Sequence, residues 1–149
     1  MNNNNNLDAI YNKLSDGMQQ FSSAEEKMEY LSTALYDSFE HYFWVGFYFP
    51  REKEMLIGPS AGRPACAAIG YEGVCGAAYN SRKSVIVANV DEFPGHIACD
   101  PHSKSEIVVP LKNSDGNIFA LLDVDSDRLG AFNETDAIFL EKLVSELSA

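Results

Sequence analysis

A turn signal between two apolar segments constrains the fold of this chain more than any other feature. Residues 107–111 and 118–124 are rich in the aliphatic residues that favour β-strands. Between them lie Ser114, Asp115 and Gly116, a turn sequence typical of a β-hairpin. The sequence therefore predicts two neighbouring antiparallel strands joined by a short turn.

The segments around this hairpin predict an α+β fold. A helix with apolar residues at helical spacing comes first, over residues 7–14, and a second begins at the Ser-Ala-Glu-Glu capping box of residues 23–26. A last helix begins near Asn133, and its predicted apolar side includes Ile138 and Leu140. Further strands are predicted at residues 43–49, 54–58, 66–69 and 84–87, with a short helix at residues 73–79. Hairpins without repeated βα alternation favour an antiparallel sheet with helices on one face.

Length and charge narrow the class of protein. The 149 residues, of which 46% are hydrophobic, suit one domain over residues 7–149, and the Asn-rich residues 1–6 are predicted to be disordered. The net charge of -11 argues against nucleic acids and anionic membrane surfaces as partners. No apolar stretch approaches a membrane span, and the first residues lack the basic and apolar regions of a signal peptide. A cytoplasmic location is therefore expected.

Three cysteines, Cys66, Cys75 and Cys99, raise the question of thiol chemistry. In a reducing compartment, cysteines serve as buried thiols, catalytic groups or metal ligands more often than as structural disulfides. Their spacings contain no C-x2-C pair, so no metal site is predicted, and a zinc-binding structural domain is the weakest of the alternatives. Simple burial of three small residues explains them equally well at this point. His96 lies three residues before Cys99 and is one candidate for activating its thiol.

Three acidic residues lie at strand positions. Asp123 and Asp125 are two residues apart on one predicted strand, so both point to the same face, and Glu106 opens the preceding strand. Carboxylates on one face repel each other unless a cation, a proton or a ligand amine lies between them. A solvent-facing strand end is the simpler explanation, although Asp is uncommon in strands.

The aromatic residues Trp44 and Tyr48 also share one strand face, where they form either the wall of a pocket or part of the core. Residues 58–64 contain two glycines and one arginine. They lack the Lys-Ser/Thr of a phosphate-binding loop and the spacing of a dinucleotide-binding motif. We interpret them as a structural loop.

Together these segments resemble the free methionine-(R)-sulfoxide reductase family, which is built on a GAF domain. The matching segments are Trp-Val-Gly-Phe-Tyr at 44–48, Pro-Ala-Cys at 64–66, Gly-Val-Cys-Gly at 73–76, Phe-Pro-Gly-His-Ile-Ala-Cys-Asp at 93–100, Ser-Glu-Ile-Val-Val-Pro at 105–110 and Leu-Asp-Val-Asp-Ser at 122–126. The likeness covers nearly the whole chain after the Asn run. It implies a GAF-like fold: a central antiparallel sheet with helices packed on one face and long loops forming the pocket on the other.

The resemblance also implies roles for the candidate residues. Cys99 corresponds to the cysteine that attacks the sulfoxide sulfur, Cys66 to the resolving cysteine, and Cys75 to a third cysteine with an auxiliary role. The substrate-binding residues it implies are Trp44, Tyr48, Glu106, Asp123 and Asp125, with Glu106 also assisting proton transfer. The implied enzyme needs no bound cofactor, takes thioredoxin as its external reductant and forms a homodimer.

This chemistry is physically consistent with the residues. A sulfoxide oxygen leaves only when it is protonated, so an acid must lie beside it, and crowded carboxyls have raised pKa values. The remaining acids can bind the ammonium of a free amino acid, and a second thiol can convert a sulfenic acid to a disulfide. The alternative function is a non-catalytic GAF domain that senses a small ligand, which would leave the cysteines without a shared role.

Overall fold

In a computed structural model, which describes residues 3–63, 65–96 and 99–147, one six-stranded antiparallel sheet forms the centre of the molecule. The strands are β1 (Trp44–Pro50), β2 (Met55–Gly62), β3 (Ala68–Ile69), β4 (Val85–Val87), β5 (Ser105–Lys112) and β6 (Ile118–Ser126), in the spatial order β3-β2-β1-β6-β5-β4. The helices are α1 (Asn3–Met18), α2 (Ala24–Ser38), α3 (Val74–Ser81) and α4 (Glu134–Val144), with single 3-10 turns at Val90–Glu92 and Ser145–Leu147. The predicted α+β fold is confirmed.

The predicted hairpin is the pair β5 and β6. Ile107 pairs with Val124 and Leu111 with Ala120, so the apolar residues of both strands meet on one face. The turn is closed by the Asn113 side chain, which accepts hydrogen bonds from two backbone N–H groups of the turn. Gly116 adopts a φ of +82°, a conformation that side chains other than glycine rarely adopt.

The predicted capping box and the predicted start near Asn133 both mark the start of a helix. The Ser23 side chain caps α2 and exchanges hydrogen bonds with Glu26, and Asn133 forms the same arrangement at the start of α4. The prediction that Ile138 belongs to the apolar side of α4 is wrong, because this residue is 58% exposed. Ile138 lies about 100° around the helix from Ala137 and so falls outside the buried stripe.

The sheet separates two cores. On one face, α1, α2 and α4 pack over alternating residues of the central strands, such as Phe47, Ile107 and Leu122. On the other face, α3 and the long loops cover a smaller core that contains Tyr48 and Leu121. The resemblance implied this division, although the short helix α3 lies with the loops rather than with the other helices.

Two boundaries differ from the sequence predictions. Residues 58–62, which we interpreted as a loop, form the second half of β2. Near Pro59 the register between β2 and β1 shifts, and on its other side β2 pairs with β3 only at Met55 and Leu56. A proline is tolerated at such an irregular position, where no ladder N–H is needed. Helix α1 begins at Asn3, inside the run predicted to be disordered, because extending a helix already anchored by packing costs little. Within the part of the chain that the structure describes, no helix is long and apolar enough to cross a membrane.

Candidate active site

Three carboxyl groups meet on the pocket face of the sheet, and we call Glu106, Asp123 and Asp125 the acid cluster. The alternation of β6 directs its two aspartates to this face and Leu122 and Val124 to the helix-covered core. The register of β5 then places Glu106 directly opposite Asp125. The structure therefore brings together all three acids that the sequence indicated.

Burial and mutual repulsion favour the protonated forms of these acids. Glu106 and Asp123 are each only 6% exposed. Burial, followed by the negative charge of Asp125, raises the pKa of Glu106 to about 8. Burial also raises the pKa of Asp123 and of Asp125 well above the usual range, with the charge of a neighbouring carboxylate as the second cause. The acid cluster can thus hold protons at neutral pH.

One oxygen of the acid cluster has no hydrogen-bond partner within residues 3–63, 65–96 and 99–147. Asp123 Oδ1 is buried and accepts no hydrogen bond from the described residues, although the Cys75 sulfur lies within 4.8 Å of an oxygen of this carboxyl group. A buried acceptor without a partner is costly, and a ligand donor that enters the cleft can supply the missing hydrogen bond.

A disulfide lies at the edge of the same cleft. It joins Cys66 to Cys99, with a Cα–Cα distance of 5.5 Å, and both residues are partly exposed. The Tyr48 hydroxyl donates a hydrogen bond of 2.8 Å to the Cys66 carbonyl, which ties the Cys66 segment to β1. Of the two disulfide cysteines, Cys99 lines the cleft with the acid cluster.

Cys75 is the free cysteine, and α3 holds it against the acid cluster. It is 3% exposed, and burial, followed by the charge of Asp123, raises the pKa of its thiol. Its sulfur lies within 4.8 Å of carboxyl oxygens of Glu106 and Asp123, a spacing that admits a cation. The raised pKa of each group favours protonated forms, which are poor metal ligands.

The aromatic wall of the cleft comes from alternate residues of β1. Trp44 and Tyr48 are both buried, with ring centroids 6.0 Å apart. Between them lies Gly46, and a Cβ atom built there would collide with the Trp44 indole. The indole therefore occupies space that only a glycine leaves free.

The sequence did not predict the positions of three residues around the site. His96 was considered as a neighbour of Cys99, but its Nε2 lies 3.6 Å from Glu106 Oε1, and burial lowers the pKa of its imidazole. Gly46 could have been found from its position between two aromatic residues on one strand face. Arg63 lines the cleft from the segment interpreted as a structural loop, and no motif indicated it.

Comparison with known proteins places this architecture in a family. The GAF domain family matches residues 8–149. GAF domain-containing protein A of Dictyostelium discoideum is 46% identical over 119 residues, which are 78% of this chain and 74% of the relative. The free methionine-R-sulfoxide reductase of Escherichia coli is 40% identical over 119 residues, which are 78% of this chain and 70% of that protein.

A solved structure extends the likeness to the whole fold. The crystal structure of free methionine-R-sulfoxide reductase from Neisseria meningitidis, in complex with its substrate, aligns with a TM-score of 0.92 and 35% identity. The alignment covers 99% of this chain and 89% of that chain. With a GAF fold, a cleft floored by acids and cysteines at its edge, this chain belongs to the free methionine-R-sulfoxide reductase family of GAF-domain proteins.

Proposed function

We propose that this protein reduces free methionine-(R)-sulfoxide to methionine with Cys99 as its nucleophile. One observation carries the proposal: a disulfide of two partly exposed cysteines borders a cleft whose floor is the buried acid cluster. The names of the relatives from Escherichia coli and Neisseria meningitidis support the same substrate.

In the proposed reaction, the Cys99 thiolate attacks the sulfoxide sulfur while Glu106 supplies a proton to the oxygen. Glu106 suits this role because its pKa of about 8 keeps it mostly protonated at neutral pH. The OH group then passes to the Cys99 sulfur as the substrate S–O bond and the transient bond between the two sulfur atoms break, which reduces the sulfoxide to a thioether and oxidises Cys99 to a sulfenic acid. The Cys66 thiol then attacks the Cys99 sulfur, the S–O bond breaks, and the oxygen leaves as water.

The acid cluster and the aromatic wall account for binding in this proposal. A free amino acid carries an ammonium group, and Asp123, with its unpartnered buried oxygen, and Asp125 offer acceptors for it. Trp44 and Tyr48 enclose the apolar part of the side chain. Cys75 has an auxiliary role as a neutral thiol that lies beside Asp123.

We further propose that thioredoxin reopens the disulfide. The partial exposure of Cys66 and Cys99 supports this step, because an external thiolate must reach one of the two sulfur atoms. The cytoplasmic location and the homodimer stay predictions. Analytical ultracentrifugation at several protein concentrations tests whether the protein is a dimer.

The test of the proposed function couples the protein to NADPH oxidation through thioredoxin and its reductase. We expect activity with the (R) epimer of free methionine sulfoxide, none with the (S) epimer and none for Cys99→Ser. Equal rates for Cys99→Ser and wild type would refute the assignment. A protein that binds a small ligand but loses no thiols with either epimer would favour the sensor function.

A further inference from the structure

A second group of polar side chains lies at the opening of the cleft, and we call Arg63, Asp100 and His102 the mouth cluster. His102 Nδ1 lies 2.9 Å from Asp100 Oδ1, and Arg63 Nη1 lies 3.2 Å from the same imidazole nitrogen. Arg63 Nη1 is also 3.7 Å from Asp100 Oδ2. The three side chains thus contact one another pairwise.

The mouth cluster joins the same two segments as the disulfide. Arg63 precedes Cys66 by three residues, and Asp100 directly follows Cys99. The two cysteines are separated by 33 residues in the sequence, so without the disulfide their segments are held together only by non-covalent contacts. The mouth cluster provides such contacts next to both sulfur atoms.

An aromatic ring anchors this group to the sheet. The Arg63 guanidinium lies 5.3 Å from the centroid of the Phe43 ring, and the His102 ring lies 6.2 Å from it. The Phe43 N–H donates a hydrogen bond of 2.7 Å to the carbonyl of Asp125, a member of the acid cluster. Both cysteine segments are therefore fastened at one place beside the acid cluster.

We propose that the mouth cluster positions Cys66 for its attack on the Cys99 sulfenic acid while the disulfide is open. This inference rests on the proposed function, in which the disulfide opens and closes once per turnover. In the closing step the S–S bond forms, the S–O bond of the sulfenic acid breaks, and the oxygen takes up the Cys66 proton and leaves as water. Arg63, Asp100 and His102 take no part in this chemistry.

The size of the expected effect follows from exposure. The side chains of Arg63 and His102 are 58% and 61% exposed, and that of Asp100 is 19% exposed. Exposed ion pairs are weak and screened by salt, so loss of the mouth cluster should slow closure by roughly two- to fivefold rather than abolish it. Closure in the wild type should slow in 1 M NaCl toward the rate of a variant that lacks the cluster.

The test is a single turnover of the reduced protein with methionine-(R)-sulfoxide in the absence of any reductant. Free methionine reports the first step, loss of two thiols reports closure, and trapping with dimedone reports the sulfenic acid. We expect Arg63→Gln and Asp100→Asn to release methionine at the wild-type rate, to close more slowly and to trap more sulfenic acid. The double variant should be no slower than either single variant, because the cluster acts as a unit.

The matched control is Arg51→Gln, since Arg51 is also an arginine over an aromatic ring, 5.9 Å from the Phe49 centroid, and does not line the cleft. It should close at the wild-type rate. The inference is overturned if Arg63→Gln forms the disulfide at the wild-type rate and traps no more sulfenic acid than the wild type. It is also overturned if this variant releases methionine more slowly but forms the disulfide normally, because Arg63 would then act in substrate binding. Failure of the proposed function gives a different result: the wild type itself would release no methionine.

Discussion

At the scale of single residues, the proposed chemistry depends on keeping a carboxyl group protonated at neutral pH. Glu106 achieves this because it is buried and lies opposite Asp125, so its ionised form is poorly solvated and repelled. His96, whose pKa is lowered by burial, contributes a neutral imidazole at 3.6 Å rather than a stabilising cation. The ordinary Glu pKa would leave almost no acid at pH 7.

Glu106→Gln should remove this acid and the pH dependence that goes with it. For the wild type, we expect methionine formation to fall as the pH rises through about 8, because Glu106 then loses the proton it must donate. The variant should be slower by roughly 10²–10⁴-fold, the usual contribution of a general acid, and should lack this alkaline decline. Single-turnover rates between pH 6 and pH 9.5 measure both effects. An unchanged alkaline decline in the variant would contradict the assignment.

Stability provides an independent readout of the same group. The pKa of Glu106 is about 8 in the folded state and 4.5 ordinarily. The contribution of protonated Glu106 to the free energy of unfolding is therefore fully present below pH 4.5 and is lost as the pH rises through about 8. Over this window the loss is on the order of 5 kcal/mol. The free energy of unfolding of Glu106→Gln should therefore depend less on pH than that of the wild type, as denaturant titrations can show.

The sequence predicts the acid cluster well and its neighbours poorly. Strand alternation suffices to put Asp123 and Asp125 on one face, and an adjacent strand suffices to bring Glu106 beside them. The contact between His96 and Glu106 depends instead on the path of an irregular loop, which no periodicity encodes. The mouth cluster was missed for the same reason.

At the scale of elements, β1 shows how one strand forms a wall of the cleft. Its buried residues alternate between the helix-covered core and the pocket face, where Trp44, Gly46 and Tyr48 follow one another. Because Gly46 lacks a side chain, the Trp44 indole can lie over this residue, with its ring centroid 6.0 Å from that of Tyr48. A glycine that weakens the strand thus shapes the cleft.

Gly46→Ala should displace the Trp44 indole and weaken substrate binding. The added Cβ would collide with the buried indole and with the Ser60 Cβ of β2, so we expect both to shift, with some loss of stability, KM raised roughly tenfold and a smaller change in kcat. Steady-state kinetics measure the two constants. The control is Gly73→Ala, at a glycine that lines the cleft, where the nearest atom to an added Cβ is 3.7 Å away. Equal KM values for both variants would contradict this role of Gly46.

The elements themselves were predictable where local signals are strong. The capping boxes at Ser23 and Asn133 and the turn at Gly116 specify boundaries through backbone hydrogen bonds or backbone conformation. The second half of β2 was not predictable, because a proline such as Pro59 normally argues against a strand. The proline is tolerated here because the register between β1 and β2 shifts beside it. Only the tertiary pairing reveals that this position needs no ladder hydrogen bond.

At the scale of the whole molecule, the disulfide links the catalytic state to the stability of the fold. It closes a loop that contains α3 and β4, so the segment that carries Cys75 is held at both ends when Cys66 and Cys99 are oxidised. The helix-covered core on the opposite face does not depend on this bond. The reduced enzyme should therefore stay folded, but with a looser pocket face.

Reduction should lower the melting temperature without unfolding the protein. A disulfide with a sequence separation of 33 restricts the unfolded chain by about 3–4 kcal/mol, which corresponds to roughly 6–15 °C for a domain of this size. Calorimetry of the oxidised and reduced protein measures the difference. Cys66→Ala should melt at the same temperature with and without reductant, whereas Cys75→Ala should keep the redox difference, because Cys75 lies outside the bond. A shift that disappears in Cys75→Ala and persists in Cys66→Ala would mean that the oxidised protein pairs its cysteines differently.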